Sequence, residues 1–252
     1  MTIHRHPASP VLDHCPETLP SHAYFDADWF AREQKTIWAR NWVCAGRLGD
    51  LACGQLKRVQ VGAAGVILCR DAEGELSAFH NVCRHRGAEL CTAMEQLMGK
   101  LITCRYHAWS YAARDGRLMA TGHANPTADF RKAEHGLLPV SVTVWNGFVF
   151  LNLDSDPRPL APDLGLQALD NWPMASLVTR HRTETEIACN WKIFWENYNE
   201  CLHCPGIHPE LCDMVPLYAK GIMSASEAPG WTPDEARSPN LKPGAESWTM
   251  TG

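Results

Sequence analysis

The chain has 252 residues, with 23 Lys and Arg against 28 Asp and Glu, for a net charge of −5. That length allows one or two domains with real cores. The two signs of charge are interspersed, which excludes a basic nucleic-acid or anionic-membrane surface, and no apolar run approaches the roughly 20 residues of a spanning helix. Eleven Cys is an odd count. Met1 to Pro20 holds no apolar leader, so these Cys read as reduced thiols and metal ligands rather than a disulfide scaffold, and the expected compartment is the cytoplasm.

Residues 1–25 make a polar, Pro-punctuated arm that drapes over another surface. Asp26-Ala27-Asp28 opens a helix through Asn41, with Trp29, Phe30, Ile37, Trp38 and Trp42 recurring near helical spacing. These 44 residues form the first segment of the chain. From Gly54 to Phe79 the period shortens to two. Val59-Gln60-Val61, Val66-Ile67-Leu68 and Leu76-Ser77-Ala78-Phe79 are predicted strands, with turns at Gly62–Gly65 and Asp71–Gly74. Leu101-Ile102-Thr103 and Trp109-Ser110-Tyr111 flank a loop, and Asp115-Gly116 marks a hairpin turn. Val140–Trp145 and Phe148–Leu153 form a second hairpin across Asn146-Gly147. Residues 45–153 thus read as a compact antiparallel β-domain.

Residues 154–173, rich in Pro, Asp and Gly, read as a linker. Residues 174–252 begin a mixed domain, so the expected class is α+β. Val178–Ile187, polar and alternating, predicts one or two strands with a wet face. Asn190 caps a helix carrying Trp191, Phe194, Trp195, Tyr198 and Leu202, which should stop near Cys204 because Pro205 and Gly206 follow. Pro209–Gly252 shows little periodicity.

The β-domain carries the strongest chemical signal. Cys83-Arg84-His85 and Cys104-Arg105-Tyr106-His107 are separated by eighteen residues. Two matched pairs, each one thiol and one imidazole, suit two loop tips facing each other across one metal centre. Tetrahedral zinc is one candidate, and a [2Fe–2S] cluster with two Cys on one iron and two His on the other is the second. Zinc fingers usually pair Cys with Cys and His with His, whereas each pair here is mixed. The strings His80-Asn81-Val82-Cys83-Arg84-His85-Arg86-Gly87 and Tyr106-His107-Ala108-Trp109 closely resemble the Rieske domain of ring-hydroxylating oxygenases. That resemblance implies cluster ligands at Cys83, His85, Cys104 and His107. The respiratory branch of the family ties its loops by a disulfide. Ala88 and Tyr106 stand at the matching positions here, which implies the oxygenase branch and a low potential near roughly −150 mV.

A second constellation follows the capped helix, in Asn197-Tyr198-Asn199-Glu200-Cys201-Leu202-His203-Cys204-Pro205-Gly206-Ile207-His208. Glu200 and His203 are expected on one helix face, and the Pro205-Gly206 break turns His208 back toward His203. Two imidazoles plus one carboxylate are the ligand set of non-haem Fe(II) oxygenases, with positions left open for O₂ and substrate. The run from Asn190-Trp191-Lys192 through Glu196-Asn197-Tyr198 to His208 resembles the start of the catalytic domain in alpha subunits of Rieske non-haem iron oxygenases. The resemblance implies iron at His203 and His208. It also implies an electron-bridging role for Glu200, between His107 of one subunit and His203 of the next in a head-to-tail homotrimer. Asn197 is counted with Glu200 among the catalytic residues.

The Asn-Tyr-Asn-Glu-Cys-Leu-His-Cys setting resembles the subgroup acting on quaternary ammonium compounds such as carnitine, glycine betaine and stachydrine. The implied partners are a flavin and iron–sulfur reductase that draws on NAD(P)H, O₂ as co-substrate, and a small molecule that is hydroxylated or N-demethylated. Aromatic-ring or aromatic-acid oxygenation is the alternative chemistry. The family's third iron ligand, an Asp, lies far downstream of the second His. Asp213 is too near and Asp234 lacks a supporting helix, so the resemblance implies a truncated or split catalytic domain. A Rieske carrier working in trans, or a structural zinc protein, are the rival classes. Of the other Cys, Cys44, Cys53, Cys69 and Cys189 read as small buried residues. Cys201 and Cys204 read as packing around the iron site.

Overall fold

A computed structural model describes residues 17–160, 173–216 and 218–220 of the chain. The chain divides into two compact units, residues 27–184 and residues 1–26 with 185–252.

The larger unit opens with α1 (Ala27–Glu33), whose turns widen into a π-helix over Gln34–Trp38. The Ala39 N–H reaches back five residues to the Gln34 carbonyl at 3.0 Å. Strands follow as β1 (Val43–Arg47), β2 (Gln55–Val61), β3 (Ala64–Arg70), β4 (Leu76–His80) and β5 (Met94–Gln96). The rest are β6 (Leu101–Thr103), β7 (Trp109–Ala112), β8 (Leu118–Thr121), β9 (Ser141–Trp145) and β10 (Phe148–Asn152). They form three antiparallel sheets in the orders β4-β3-β2-β5, β6-β7-β8 and β1-β10-β9.

β3 explains how the unit is stitched together. Its side chains alternate across the sheet, and both faces are covered. Val66 and Leu68 join one buried cluster with Leu51, Val149 and Leu151, while Ile67 and Cys69 join another with Phe79, Ile102 and Tyr111. The unbroken apolar run Val66–Cys69 is therefore a strand buried on both sides, not a half-wet one. The second cluster also contains Cys83 and Cys104.

Turn chemistry matches the sequence in most places. Asn146 (φ 48°) and Gly147 (φ 79°) make the type I′ link from β9 to β10. The predicted turn at Gly62–Gly65 is tighter than expected. Val61 already pairs with Ala64, leaving Gly62-Ala63 as the loop and Gly65 inside β3.

The other unit contains α2 (Trp191–Tyr198), α3 (Cys204–Ile207) and α4 (Pro209–Met214). Asn190 caps α2 as expected, its side chain accepting from the Lys192 N–H at 3.0 Å. Tyr24 lies alongside, its hydroxyl donating to Glu196 at 2.7 Å and its carbonyl accepting from the Asn190 side chain at 2.9 Å.

Four expectations are corrected. Val178–Ile187 forms no strand. Thr179, His181 and Arg182 spend their side chains on Asp50, Thr183 and Glu184, and among the described residues no neighbouring strand supplies a ladder. α2 ends at Tyr198 rather than near Cys204, because the Glu200 carboxylate takes the Leu202 N–H and draws the backbone out of helix. Pro205 and Pro209 start helices instead of only ending one. Each sits in a first turn, where the missing N–H costs nothing, so Pro209–Met214 is ordered helix. Cys44, Cys53 and Cys189 are exposed, and only Cys69 of that group is buried. Met1 to Pro16 of the arm, most of the linker and Asp234 lie outside the described residues.

Candidate metal centres

The two Cys-His loops are copies of one turn. In the first, the Cys83 N–H donates to the Ala88 carbonyl at 2.8 Å, and the Gly87 N–H donates to the Cys83 carbonyl at 2.9 Å. In the second, Cys104 and Trp109 make the same pairing at 2.8 Å, and Ala108 returns to Cys104 at 3.0 Å. The fifth residue of each turn is left-handed, with φ 76° at Gly87 and 55° at Ala108. Ala tolerates that conformation only at a cost, so the surroundings must hold the second loop in shape.

Cys comes first in both turns, but His comes third in one and fourth in the other. The thiols are buried, at 2% for Cys83 and 3% for Cys104, while His85 is exposed and His107 half-buried. The imidazole rings meet edge to face with centroids 4.8 Å apart. The sequence-predicted set Cys83, His85, Cys104 and His107 is thus brought to one end of the β unit, thiols inward and imidazoles outward.

Three residues brace this tip, and sequence reasoning gave none of them that role. Asn81 is buried, and its carbonyl oxygen accepts from the N–H groups of Leu90 and Cys91 at 3.0 Å each. Its amide donates to the Cys91 carbonyl at 2.6 Å, closing the return path of the first loop. A polar residue between the strand and the first Cys was the available signal. Tyr111, fully buried on β7, places its hydroxyl 3.1 Å from Cys83 Sγ and accepts the Arg84 N–H at 3.1 Å. Burial, and after it the Cys83 sulfur, push the Tyr111 phenol well above its usual value, so it stays a donor toward a thiolate. Gly122 follows β8 with φ 62°, and a Cβ there would lie 2.2 Å from the His107 carbonyl oxygen. Only glycine lets that backbone pass behind the second loop. Trp109 adds a stacked ring on His85, with centroids 4.7 Å apart and planes 12° apart.

These residues fit a binuclear centre. Among the described residues His107 Nδ1 is buried with no hydrogen-bond partner, and a metal ion would satisfy it. Among the described residues no three His, Cys, Asp or Glu side chains group as ligands of one ion. Each loop offers one thiol and one imidazole, a donor set that suits a [2Fe–2S] cluster with two Cys on one iron and two His on the other.

The second constellation is built from short turns. Glu200 and His203 do not share a helix face; both lie in the turn after α2. The side chains still meet, with His203 Nδ1–H donating to Glu200 Oε1 at 2.5 Å. The other carboxylate oxygen accepts the Leu202 N–H. The hydrogen bond from His203, before any other cause, holds the Glu200 carboxyl below its usual range. His203 precedes α3 and His208 follows it. This single four-residue helix brings the two rings to 5.5 Å, edge to face. They open on a cavity of about 340 Å³ whose lining includes Asn197, Tyr198, Glu200, Leu211 and Tyr218. With Nδ1 committed to Glu200, His203 keeps Nε2 free for a metal. Cys201 and Cys204, expected as packing thiols, are joined in a disulfide.

Comparison with known proteins gives two family matches. Residues 41–131 match the Rieske [2Fe-2S] domain, and residues 174–252 match the ring hydroxylating alpha subunit (catalytic domain). The glycine betaine monooxygenase oxygenase subunit of Pseudomonas aeruginosa is 36% identical over 197 residues, covering 77% of this chain and 45% of the relative. The carnitine monooxygenase oxygenase subunit of Escherichia coli is 33% identical over 204 residues, covering 79% and 54%. The chain therefore spans about half the length of the curated relatives it matches. Among solved structures, the quaternary ammonium Rieske monooxygenase CntA in complex with L-carnitine superposes with a TM-score of 0.72 at 30% identity. That match covers 79% of this chain and 57% of the other.

Proposed function

Because this chain belongs to the Rieske-type ring-hydroxylating oxygenase alpha subunits, we propose that it is the electron-accepting and iron-binding part of a terminal oxygenase for quaternary ammonium substrates. Cys83, His85, Cys104 and His107 would hold the [2Fe–2S] cluster, and His203 and His208 the mononuclear iron. When bound, the cluster supplies one-electron storage, fed by a separate NAD(P)H-linked reductase, and the iron supplies O₂ activation at open coordination positions. The observation that carries this reading is the pair of matched turns with buried thiols and facing imidazoles, in one chain with the Glu200–His203–His208 turn.

The protein's own residues set the conditions for that chemistry. Tyr111 holds a donor toward Cys83 and so stabilises extra negative charge on its sulfur. Glu200 fixes the tautomer of His203 and keeps Nε2 directed away from itself. Its carboxylate has lone pairs to spare, enough to accept an N–H from His107 of a neighbouring subunit, the contact that a head-to-tail trimer would make. Tyr198 and Tyr218 line the cavity together with Glu200, and aromatic rings beside a carboxylate would suit a quaternary ammonium cation. The names of the relatives, glycine betaine and carnitine monooxygenase subunits, favour such substrates over aromatic rings.

The test is Glu200→Gln, assayed with reductase, NADH and either glycine betaine or L-carnitine. The variant should keep the cluster's visible and EPR spectra while product release (formaldehyde from an N-methyl carbon, trimethylamine from the chain carbon) falls by about 10–100-fold, as for loss of an outer-shell partner. Release of either product near the rate of the unaltered protein would refute the bridge. Turnover of an aromatic acid with none of either quaternary ammonium compound would refute the substrate class.

A further inference from the structure

We infer that Cys201 and Cys204 are a reversible thiol–disulfide couple that staples the turn carrying Glu200 and His203. The two residues bracket His203, and Glu200 directly precedes Cys201. Their Cα atoms are 5.0 Å apart, within the span a disulfide requires. Both are buried, at 4% and 3%, and both line the cavity that His203 and His208 enter. No regular helix holds this stretch. Between the end of α2 and the start of α3, the backbone is held by the Cys204 N–H on the Cys201 carbonyl at 3.1 Å and by the Glu200 side chain. Among the described residues the disulfide is the one covalent cross-link across the turn.

In the oxidised form, Glu200 is seated on His203 and the two imidazoles stand 5.5 Å apart. Reduction opens the staple and leaves only hydrogen bonds, two of them to a carboxylate that is about one-third exposed. The exchange balances without any other redox centre. The dithiol reacts with a low-molecular-weight disulfide such as oxidised glutathione. One intramolecular S–S bond forms, the S–S bond of glutathione breaks, and two glutathione thiols leave with the two protons. Closing so short a loop restrains the unfastened turn by a factor on the order of tenfold or more in its opening equilibrium. Iron retention by His203 and His208 then depends on thiol redox state, a consequence that rests on the proposed iron site.

The experiment equilibrates the whole chain anaerobically in glutathione buffers of graded oxidation. Differential alkylation with mass spectrometry reads the thiols, and amide hydrogen exchange reads the backbone. Cys201 and Cys204 should be protected together in the oxidised buffers. Exchange across Glu200–His208 should speed by about tenfold on reduction, with β3 unchanged. Cys201→Ser should exchange rapidly in both buffers, and Cys53→Ser should behave as the unaltered chain. Alkylation of both residues in oxidised buffer, or equal exchange in the two states, overturns the couple. A chelator challenge after Fe(II) loading separates the readings. Slower iron loss from the oxidised chain supports both; an exchange response with no change in iron loss keeps the staple and rejects iron at His203 and His208.

Discussion

The two candidate centres solve one problem, holding imidazoles at a fixed separation, with opposite materials. The Cys83–His107 centre rests on three antiparallel sheets. Its thiols belong to the same buried cluster as Ile67, Phe79 and Tyr111, and its loops are closed by four backbone hydrogen bonds. The His203–His208 centre rests on helices of four and six residues, one disulfide and one carboxylate, with Phe194, Trp195, Tyr198 and Leu202 exposed around it. Geometry at the first is inherited from the core, while geometry at the second is made locally. Substitutions should therefore divide into those that act through folding and those that act through a single bond.

The sharpest break is at the ligands themselves. Cys104→Ser should abolish the cluster, seen as loss of iron, acid-labile sulfide and visible absorption together. His203→Ala should leave all three at the level of the unaltered protein. Loss of sulfide in His203→Ala would mean that the centres are not separable. Ile67→Ala comes next. It cuts into the buried cluster beneath the loops and should destabilise by about 2–5 kcal/mol, read as a lower denaturant midpoint, with the cluster signal lost in the same transition.

Tyr111→Phe removes one hydrogen bond without opening a cavity. The reduced cluster carries more negative charge and is the form that bond stabilises, so the reduction potential should fall. About 59 mV corresponds to each tenfold change in the one-electron equilibrium, and the shift should be of that order or less. An unchanged potential would remove Tyr111 from the tuning role.

The smallest effect concerns His80 on β4. Burial depresses its pKa below the ordinary 6.5. The unfolded chain therefore takes up this proton first as pH falls. The stability contributed by neutral His80 is complete above about pH 6.5 and is lost as pH drops toward the folded pKa. His80→Gln should flatten the thermal midpoint between pH 7.5 and 5.5 by a small margin. A variant with the full pH slope would shift the cause elsewhere.

The comparison also explains what was legible in the sequence. Period-two runs, Asp-Gly and Asn-Gly turns and the Asn190 cap are local signals, and the strands and α2 appeared where those signals put them. The matched Cys-His spacings were legible for the same reason. The bracing residues were not, because they act across distance. Tyr111 reads only as one more strand aromatic until β7 sets it against Cys83. Near His203 local rules misled for another reason. Pro205 reads as a breaker, but a first turn accepts proline, and a side chain outcompeted the backbone at Glu200. Val178–Ile187 has strand-like composition, yet a strand needs a neighbour that no single segment can announce.

Gly122 carries a consequence for transplantation. A protein designer lifting the candidate metal-binding tip onto another scaffold would naturally take the two loops with their flanking strands, Leu76–Cys91 and Leu101–Ala112. That piece omits Gly122, where the Cβ of any other residue would lie 2.2 Å from the His107 carbonyl oxygen. The portable unit has three parts, and the third contributes an absence of atoms. Any recipient must offer bare backbone behind the second loop, or the imidazole that faces outward will be pushed off its mark before any metal arrives.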